Sequence, residues 1–196
     1  MEHENIVKLY EVYETNNSIY LVMELLEGGE LFQRIPFMNN YENTDIKTLM
    51  KNLLSALSHM HEKGIMHRDI KPDNILLESA KNDYEIKIAD FGLAAFVNDD
   101  EILYKRCGTP GFIAPEIISY KEGGQMYNEK CDIFSAGLIF YILIYGKSPF
   151  ISTNCKEILV ETLEKKITFP KGDDIGYIYT FLFFIFNLFL KKLSTY

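Results

Sequence analysis

Cysteine is scarce in this 196-residue sequence, which contains only Cys107, Cys131 and Cys155. An odd set of widely spaced cysteines has neither the density of a disulfide scaffold nor the close pairs of a zinc site. We therefore expect reduced thiols and a cytoplasmic location. The opening residues MEHENIV also lack an apolar stretch behind a basic start, so no secretory signal is expected.

Positive charge is also in short supply, because 20 Lys and Arg stand against 28 Asp and Glu, for a formal net charge of −8. Binding to the phosphate backbone of a nucleic acid needs clustered Lys and Arg, so nucleic acid is not expected as a partner. Basic partners or metal-bound anions fit this charge better. The sequence has no internal repeats, and its length suits one domain or a piece of a larger one.

Hydrophobic residues make up 47% of the sequence, which is enough to build a globular core. Two runs rich in Val, Ile, Tyr and Leu flank residues 15–17 and predict a β-hairpin between Ile6 and Leu25. The segment GELFQRI predicts one or two helical turns. Residues 65–92 alternate short apolar runs with polar turns, which predicts small strands framing loops, whereas residues 93–126 are rich in Gly and Pro and predict irregular structure.

Three longer helices are predicted. Apolar residues from Ile46 to Met60 recur at i, i+3 and i+4, with Thr44 as the expected N-cap and Gly64 as the stop. A strongly apolar helix is predicted over residues 129–145 and a charged helix over residues 154–166. Helices together with hairpin strands give the fold class α+β.

The composition changes after Asp174, where IGYIYTFLFFIFNLFLKKLSTY consists almost entirely of residue types encoded by A and T codons. As a membrane helix, residues 175–190 would rise about 24 Å, short of a hydrocarbon core of about 30 Å. A buried core helix is an alternative, although no helical pattern supports it. We favour a third interpretation, in which the tail is translated non-coding or frameshifted sequence, and a membrane association is not expected.

Residues 67–74 read HRDIKPDN and bring an acid, a cation and an amide into one tight loop. Asp69 could accept a hydroxyl proton, and Lys71 could neutralise a transferring phosphoryl oxygen. Asn74 could ligate a hard cation through its amide oxygen, and Asp90, which ends a short apolar run, could supply a carboxylate to the same ion. Taken alone, each of these residues is ordinary in a loop; their ordered combination carries the signal.

In this order the motifs resemble those of a eukaryotic protein kinase, from residue 3 to about residue 170. The sequence carries HRDIKPDN, DFG at 90–92, GTPGFIAPE at 108–116 and DIFSAG at 132–137. Lys71 two residues after Asp69, together with Thr109, resembles the serine/threonine class. The wording GGELFQRI is most similar to the calcium/calmodulin-dependent kinase group. The resemblance implies a protein-kinase-like fold, mostly its helical C-terminal lobe, with ATP and Mg²⁺ as cofactors.

The resemblance also implies roles for the loop residues. Asp69 would be the catalytic base and Lys71 the contact to the γ-phosphate. Asn74 and Asp90 would be the Mg²⁺ ligands. His67 and Phe91 would be parts of a packed spine that links the two lobes.

A second set of implied roles concerns nucleotide and substrate. Glu24 and Leu26 would offer backbone hydrogen bonds to adenine, and Leu76 would form the floor of the adenine pocket. Glu30 would reach the ribose or a basic substrate residue, and Asp73 lies near the positions that hold a substrate arginine. Both acids also have plain interpretations, since Glu30 is favourable at a helix start and Asp73 suits a turn. The implied substrates are proteins or peptides that are basic near the Ser or Thr.

The sequence departs from the family pattern in several places. It contains no Gly-rich loop, no V-A-I-K lysine and no helix carrying that lysine's glutamate partner, so we expect the chain as given to be close to inactive. It also contains no later helix with the arginine that the family pairs with Glu116, so a buried, unpaired carboxylate is expected there. These departures predict a domain truncated at both ends.

Accordingly, residues 1–26 are interpreted as a remnant hairpin and hinge of the N-terminal lobe, 27–170 as the C-terminal lobe and 171–196 as an unrelated apolar tail. Two functions compete. The first is an incomplete serine/threonine kinase catalytic domain that transfers the γ-phosphate of ATP to protein Ser or Thr. The second is an inactive, kinase-derived fragment that binds basic peptides.

Overall fold

The computed structural model of the chain describes residues 1–36, 43–99, 101–164 and 167. The chain divides into two compact units, Met1–Lys165 and Lys166–Tyr196, and the fold described below is that of the first. The three interpretations of the tail over 171–196 lie outside the described residues.

The predicted hairpin is confirmed. Strands β1 (Leu9–Glu14) and β2 (Ile19–Met23) pair antiparallel with Glu14 opposite Ile19, and the turn is closed by a 2.9 Å hydrogen bond from the amide of Thr15 to the carbonyl of Ser18. All residues of both strands are exposed. Within the described part of the chain no third strand joins this sheet, so its apolar side chains have little to pack against.

The hairpin is attached to the rest of the unit through the segment that precedes it. The amide of Val7 donates to the carbonyl of Ile88, and the amide of Ile88 donates to the carbonyl of Asn5, both at 2.9 Å. Ile6, between Asn5 and Val7, is 3% exposed and forms a parallel β-bridge with Ile88. Asn5 adds a 3.0 Å hydrogen bond from Nδ2 to the carbonyl of Ile86. This backbone pairing places the hairpin at the end of the strand that carries Ile86 and Ile88.

Helices α1 (Leu31–Arg34) and α2 (Asn43–Glu62) follow. The apolar stripe predicted for α2 is buried in full, comprising Ile46, Leu49, Met50, Leu53, Leu54, Leu57 and Met60. The helix ends before Gly64, whose φ of 69° suits a residue without Cβ. The prediction of Thr44 as N-cap is wrong, because α2 is already helical at Asn43 and the Thr44 carbonyl accepts from the Thr48 hydroxyl inside the helix.

Helix α4 (Lys130–Tyr145) forms the centre of the unit and packs against α2. Its sequence is apolar on every side, which is the pattern of a helix enclosed by protein. Two polar residues, Asp132 and Ser135, are nevertheless buried in it. The helix ends at Gly146, whose φ is 64° and whose amide donates to the carbonyl of Ile142 at 2.8 Å.

The remaining elements are short. Strand β3 (Ile65–Met66) pairs with β6 (Ala95–Phe96), and β4 (Ile75–Leu77) pairs with β5 (Ile86–Ile88), both antiparallel. Helices α3 (Pro115–Ile118) and α5 (Cys155–Glu164) complete the set. The small strands of residues 65–92 were predicted, whereas β6 and α3 fall in the stretch predicted to be irregular.

The fold class α+β is confirmed by this mixture of helices and small antiparallel sheets. None of the helices in the described residues is long and apolar enough to cross a membrane.

Candidate active site

The loop that carries HRDIKPDN runs from β3 to β4 and ends in a single 3₁₀ turn, Pro72–Asn74. Its first three residues are almost completely buried, at 0% exposure for His67, 6% for Arg68 and 9% for Asp69. A buried loop must find hydrogen-bond partners for its backbone inside the protein. Here the main partner is a single carboxylate.

That carboxylate belongs to Asp132 in the first turn of α4. Oδ2 accepts the amide of His67 and Oδ1 accepts the amide of Arg68, each at 2.8 Å, and Nε2 of His61 lies 2.9 Å from Oδ2. Arg68 has a φ of 69°, a conformation that costs a non-glycine residue roughly 1 kcal/mol or more. Burial alone would raise the pKa of Asp132, but the hydrogen bond and charge of His61, together with His67, lower it below its usual value. The anionic form therefore holds the strained loop.

Asp69 lies at the centre of a compact polar cluster. Its Oδ2 is 2.9 Å from Nζ of Lys71 and 3.2 Å from Nδ2 of Asn74, and its Oδ1 accepts a 2.7 Å hydrogen bond from the hydroxyl of Thr109. Lys71 also donates to the Thr109 hydroxyl at 2.9 Å. The carboxylate of Asp69 thus joins the HRDIKPDN loop to the GTPGFIAPE segment, residues 108–116, to which Thr109 belongs. A carboxylate held this way is suited to receive a proton from a hydroxyl substrate placed beside it.

Asn74 and Asp90 come from neighbouring backbone. The carbonyl of Asn74 accepts the amide of Ala89 at 2.9 Å, and Asp90 follows directly. Because Nδ2 of Asn74 donates to Asp69, its side-chain oxygen is the atom left to face a cation. Asp90 is exposed, has a φ of 57°, and its Oδ1 accepts the amide of Gly92 at 3.1 Å.

Oxygen donors of this kind fit Mg²⁺, which is commonly bound by one or two protein ligands plus substrate phosphates and water. In the described residues no cluster of three or more His, Cys, Asp or Glu could hold a metal by itself. Asn74 and Asp90 are candidates for the one or two protein oxygen ligands that such a cation takes.

The residues assigned to nucleotide lie along a connecting segment, residues 24–30, which joins β2 to α1. Gly28 donates its amide to the carbonyl of Leu77, and the amide of Leu77 donates to the carbonyl of Gly29, so the segment pairs with β4. This pairing sets Glu30 opposite Leu76. Leu76 is half-buried and faces away from its buried neighbours in β4. Leu26 is also half-buried in this segment.

Three of the predicted residues have contacts or exposure that sequence reasoning did not supply. The side chain of Glu24 is an ion-pair partner of Lys87, at 3.2 Å, in addition to being the start of the connecting segment. Glu30 occupies the N-cap position of α1 without a side-chain capping hydrogen bond, which leaves its carboxylate available. Asp73 is exposed in the 3₁₀ turn.

His67 and Phe91 pack against each other, with ring centroids 5.0 Å apart. Nε2 of His67 lies 3.0 Å from the carbonyl of Ala89, and Nδ1 accepts the amide of Asp69 at 3.3 Å. This pattern specifies a neutral ring with its proton on Nε2. Burial lowers the pKa of His67, against opposing contributions from Asp132 and other groups. The ring is thus a neutral structural link between the loop and the DFG motif.

Sequence reasoning missed the contacts of Arg68. Its Nε donates to the carbonyl of Leu93 and its Nη1 to the carbonyl of Tyr104, each at 2.6 Å, and Nη1 also donates to the hydroxyl of Tyr127 at 3.1 Å. The guanidinium thus holds the backbone at residues 93 and 104, which lie in the segment between the DFG motif and the GTPGFIAPE motif. The only signal in the sequence was the arginine itself, since its partners are backbone carbonyls.

The expectation of a buried, unpaired carboxylate at Glu116 is wrong. Helix α3 turns Ile117 and Ile118 into the core, where they are 2% and 6% exposed, while Glu116 is exposed. An exposed carboxylate keeps its hydration and carries no large desolvation cost. The penalty anticipated at this position therefore does not arise in this structure.

Comparison with known proteins agrees with this geometry. A protein-family model described as "Protein kinase domain" matches residues 1–179. Calcium-dependent protein kinase 5 of Plasmodium berghei (strain Anka) is 43% identical over 172 residues, covering 88% of this chain and 30% of the relative. Calcium/calmodulin-dependent protein kinase type 1 of Macrobrachium nipponense is 40% identical over 178 residues, covering 90% of this chain and 50% of the relative. Myosin light chain kinase A of Dictyostelium discoideum is 39% identical over 171 residues, covering 87% and 57%.

The chain thus spans only between 30% and 57% of the length of these curated relatives. The resemblance inferred from the HRDIKPDN, DFG and GTPGFIAPE motifs is confirmed. Since the matched region covers most of the sequence, the chain belongs to the protein kinase family, with relatives in the calcium/calmodulin-dependent kinase group.

Proposed function

We propose that the chain is part of the catalytic domain of a protein serine/threonine kinase that uses ATP and Mg²⁺. The observation that carries the proposal is the cluster around Asp69, in which Lys71, Asn74 and Thr109 converge on one carboxylate. The hydrogen bonds of Asp132 to the loop amides add rigidity to that cluster. The printed names of the relatives, all protein kinases, support the same reaction class.

In this proposal Asp69 accepts the proton of the substrate hydroxyl as that oxygen attacks phosphorus. Lys71 offsets negative charge on the transferring phosphoryl group, as a cation within reach of the base. Asn74 and Asp90 would hold Mg²⁺, which neutralises phosphate oxygens when bound. The Thr109 hydroxyl orients Asp69 and Lys71 relative to each other, because it donates to the one and accepts from the other.

Nucleotide binding is proposed at the connecting segment. Glu24 and Leu26 would present backbone groups to adenine, Leu76 would lie beneath the ring, and Glu30 would reach the ribose. Asp73, exposed in the 3₁₀ turn of the loop, would contact a basic substrate residue, in keeping with the net charge of −8. This assignment goes with the proposed division into residues 1–26 from an N-terminal lobe and 27–170 from a C-terminal lobe.

A direct test is transfer of ³²P from [γ-³²P]ATP to a Ser- or Thr-containing basic peptide, with wild type and Asp69→Asn compared side by side. Transfer is expected to be slow, because the 196 residues include no Gly-rich loop and no V-A-I-K lysine. The diagnostic is its dependence on Asp69 and on Mg²⁺, with the loss in Asp69→Asn expected to be at least about 10²-fold. Glu116→Gln, which alters an exposed carboxylate outside the cluster, is the matched control.

The alternative is an inactive kinase-derived fragment that binds basic peptides. The exposed apolar hairpin favours it, because within the described residues no further strand pairs with either edge of its sheet, and an unpaired edge is suited to contact with a partner. Peptide binding by the wild type, without any transfer that Asp69→Asn removes, would favour this alternative over the enzyme.

A further inference from the structure

An ion pair connects the start of the connecting segment to strand β5. Oε2 of Glu24 lies 3.2 Å from Nζ of Lys87, and the two side chains are only 17% and 13% exposed. A pair this shielded is screened less by salt and solvent than a fully exposed one. Lys87 is flanked in β5 by Ile86 and Ile88, both fully buried, so its backbone is fixed.

Glu24 also closes the open end of the hairpin. Its amide donates to the carbonyl of Lys8 at 2.9 Å, and its Oε1 accepts the amide of Lys8 at 2.6 Å. The carboxylate therefore uses one oxygen for the hairpin and the other for Lys87. Rotation of this side chain would break both contacts at once.

In the described residues, the connecting segment is anchored at its far end, where Gly28 and Gly29 pair with Leu77 of β4, whereas its first residues adjoin the exposed hairpin. The residues of β1 and β2 are exposed throughout, and Leu25 is 84% exposed. On the β1 side the hairpin is held by the pairing of residues 5–7 with Ile88. On the β2 side the corresponding attachment to β5 is the Glu24–Lys87 pair. Between the hairpin and Gly28, this pair is therefore the side-chain contact that ties the start of the connecting segment to β5.

We propose that Lys87 is a positioning residue for adenine binding, holding Glu24 so that the backbone of residues 24–26 is oriented before a nucleotide arrives. This inference rests on the proposed function, which assigns adenine contacts to Glu24 and Leu26. Ordering the segment in advance removes an entropy cost that binding would otherwise carry. Lys87 itself touches Glu24 and not the nucleotide.

The test uses the full chain, four single variants and the double variant of Lys87→Met with Glu24→Gln. Lys87→Met removes the charge at similar length, Lys87→Arg retains it, and Glu24→Gln removes the other partner. Lys51→Met, an exposed lysine on α2, is the matched control. Isothermal titration calorimetry gives the affinity for ADP with Mg²⁺ and, separately, for pyrophosphate with Mg²⁺, and urea unfolding gives stability. Hydrogen–deuterium exchange follows the Glu24 amide.

Lys87→Met and Glu24→Gln are expected to weaken ADP binding about three- to tenfold, with the double variant no weaker than either single one. Pyrophosphate binding should not change, because it lacks the adenine that the segment contacts. Lys87→Arg should retain wild-type affinity, and exchange at the Glu24 amide should accelerate in Lys87→Met alone among the lysine variants.

Unchanged ADP affinity in Lys87→Met would overturn the inference. So would equal losses for ADP and pyrophosphate that track a fall in stability, since that pattern describes general packing. If the wild type binds no ADP, the proposed function fails, and exchange at the Glu24 amide then decides whether Lys87 positions the segment: faster exchange supports the role and unchanged exchange overturns it.

Discussion

Oδ1 of Asp132 accepts a 2.8 Å hydrogen bond from the amide of Arg68, a residue held at a φ of 69°. The carboxylate comes from the central helix and the strained residue from the loop that carries Asp69. The helix thereby supplies the interaction that offsets the backbone strain of the loop. The guanidinium of the same Arg68 donates to the carbonyls of Leu93 and Tyr104. The strained residue therefore also holds the backbone of the segment that contains Leu93 and Tyr104.

Removal of the Asp132 carboxylate should therefore destabilise the protein strongly. Asp132→Ala leaves the amides of His67 and Arg68 and the ring of His61 buried without their acceptor, at an expected cost of about 3–5 kcal/mol. Asp132→Asn should cost less, because its amide oxygen can still accept one hydrogen bond. Urea unfolding monitored by circular dichroism measures both. Glu116→Gln, at an exposed site, should change the free energy of unfolding by no more than about 0.5 kcal/mol. An equal loss of stability on substitution of Asp132 and of Glu116 would contradict the structural role of the Asp132 carboxylate.

Thr109 offers a test of the cluster at Asp69. Thr109→Val removes the hydroxyl that donates to Asp69 and accepts from Lys71, and should lower the free energy of unfolding by about 1–2 kcal/mol. Thr109→Ser keeps the hydroxyl and should lose less. In the ³²P assay, Thr109→Val should likewise reduce the rate of transfer more than Thr109→Ser does. Thr109→Ser retains the hydroxyl and both of its hydrogen bonds, so a Ser variant as impaired as the Val variant would contradict the role assigned to the hydroxyl.

Two glycines should respond to alanine in opposite directions. A Cβ at Gly28 would lie 2.5 Å from Cβ of Leu77 and 2.6 Å from its carbonyl oxygen, so Gly28→Ala should push the connecting segment off β4 and destabilise by about 1–3 kcal/mol or more. A Cβ at Gly137, inside α4, meets nothing within 4 Å, so Gly137→Ala should stabilise by roughly 0.5–1 kcal/mol. Thermal or urea unfolding measures both signs, and a neutral Gly28→Ala would contradict the close approach of the two backbones.

The buried histidine should make stability depend on pH below neutrality. Burial lowers the pKa of His67, and burial together with His59 also lowers the pKa of His3. Both rings stay neutral in the folded chain at pH values where the unfolded chain binds protons, so stability should fall as the pH drops below about 6.5. The slope should not exceed about 1.4 kcal/mol per pH unit for each histidine.

Urea unfolding at pH 8, 7, 6 and 5.5 measures this dependence, and His3→Gln should remove part of it. The lowered pKa of Asp132 acts in a separate window, since its contribution is present above about 3.8 and is lost as the pH falls below that value. Stability that is constant or rises between pH 6.5 and 5.5 would show that the imidazoles are not held neutral.

Sequence patterns were sufficient for elements whose signal is local. The hairpin followed from two runs rich in Val, Ile, Tyr and Leu around a turn, and α2 from a seven-residue apolar stripe that is buried as predicted. Sequence patterns failed where an element forms only because it pairs with a segment distant in the sequence. Strand β6 consists of two residues that pair with β3, and the onset of α2 at Asn43 instead of after Thr44 was beyond the resolution of local propensity.

For the candidate site, the sequence by itself predicted which side chains would carry the chemistry, because the order of HRDIKPDN and DFG can be recognised without coordinates. Only the tertiary structure decided how they are held. Asp132 reaches the loop 64 residues earlier, Thr109 reaches Asp69 40 residues earlier, and Lys87 is paired with Glu24. Such contacts depend on how helices and strands pack, and a single sequence does not specify which distant surfaces will meet. The same packing turned Glu116 towards solvent, because the hydrophobic gain of burying Ile117 and Ile118 sets the rotation of α3.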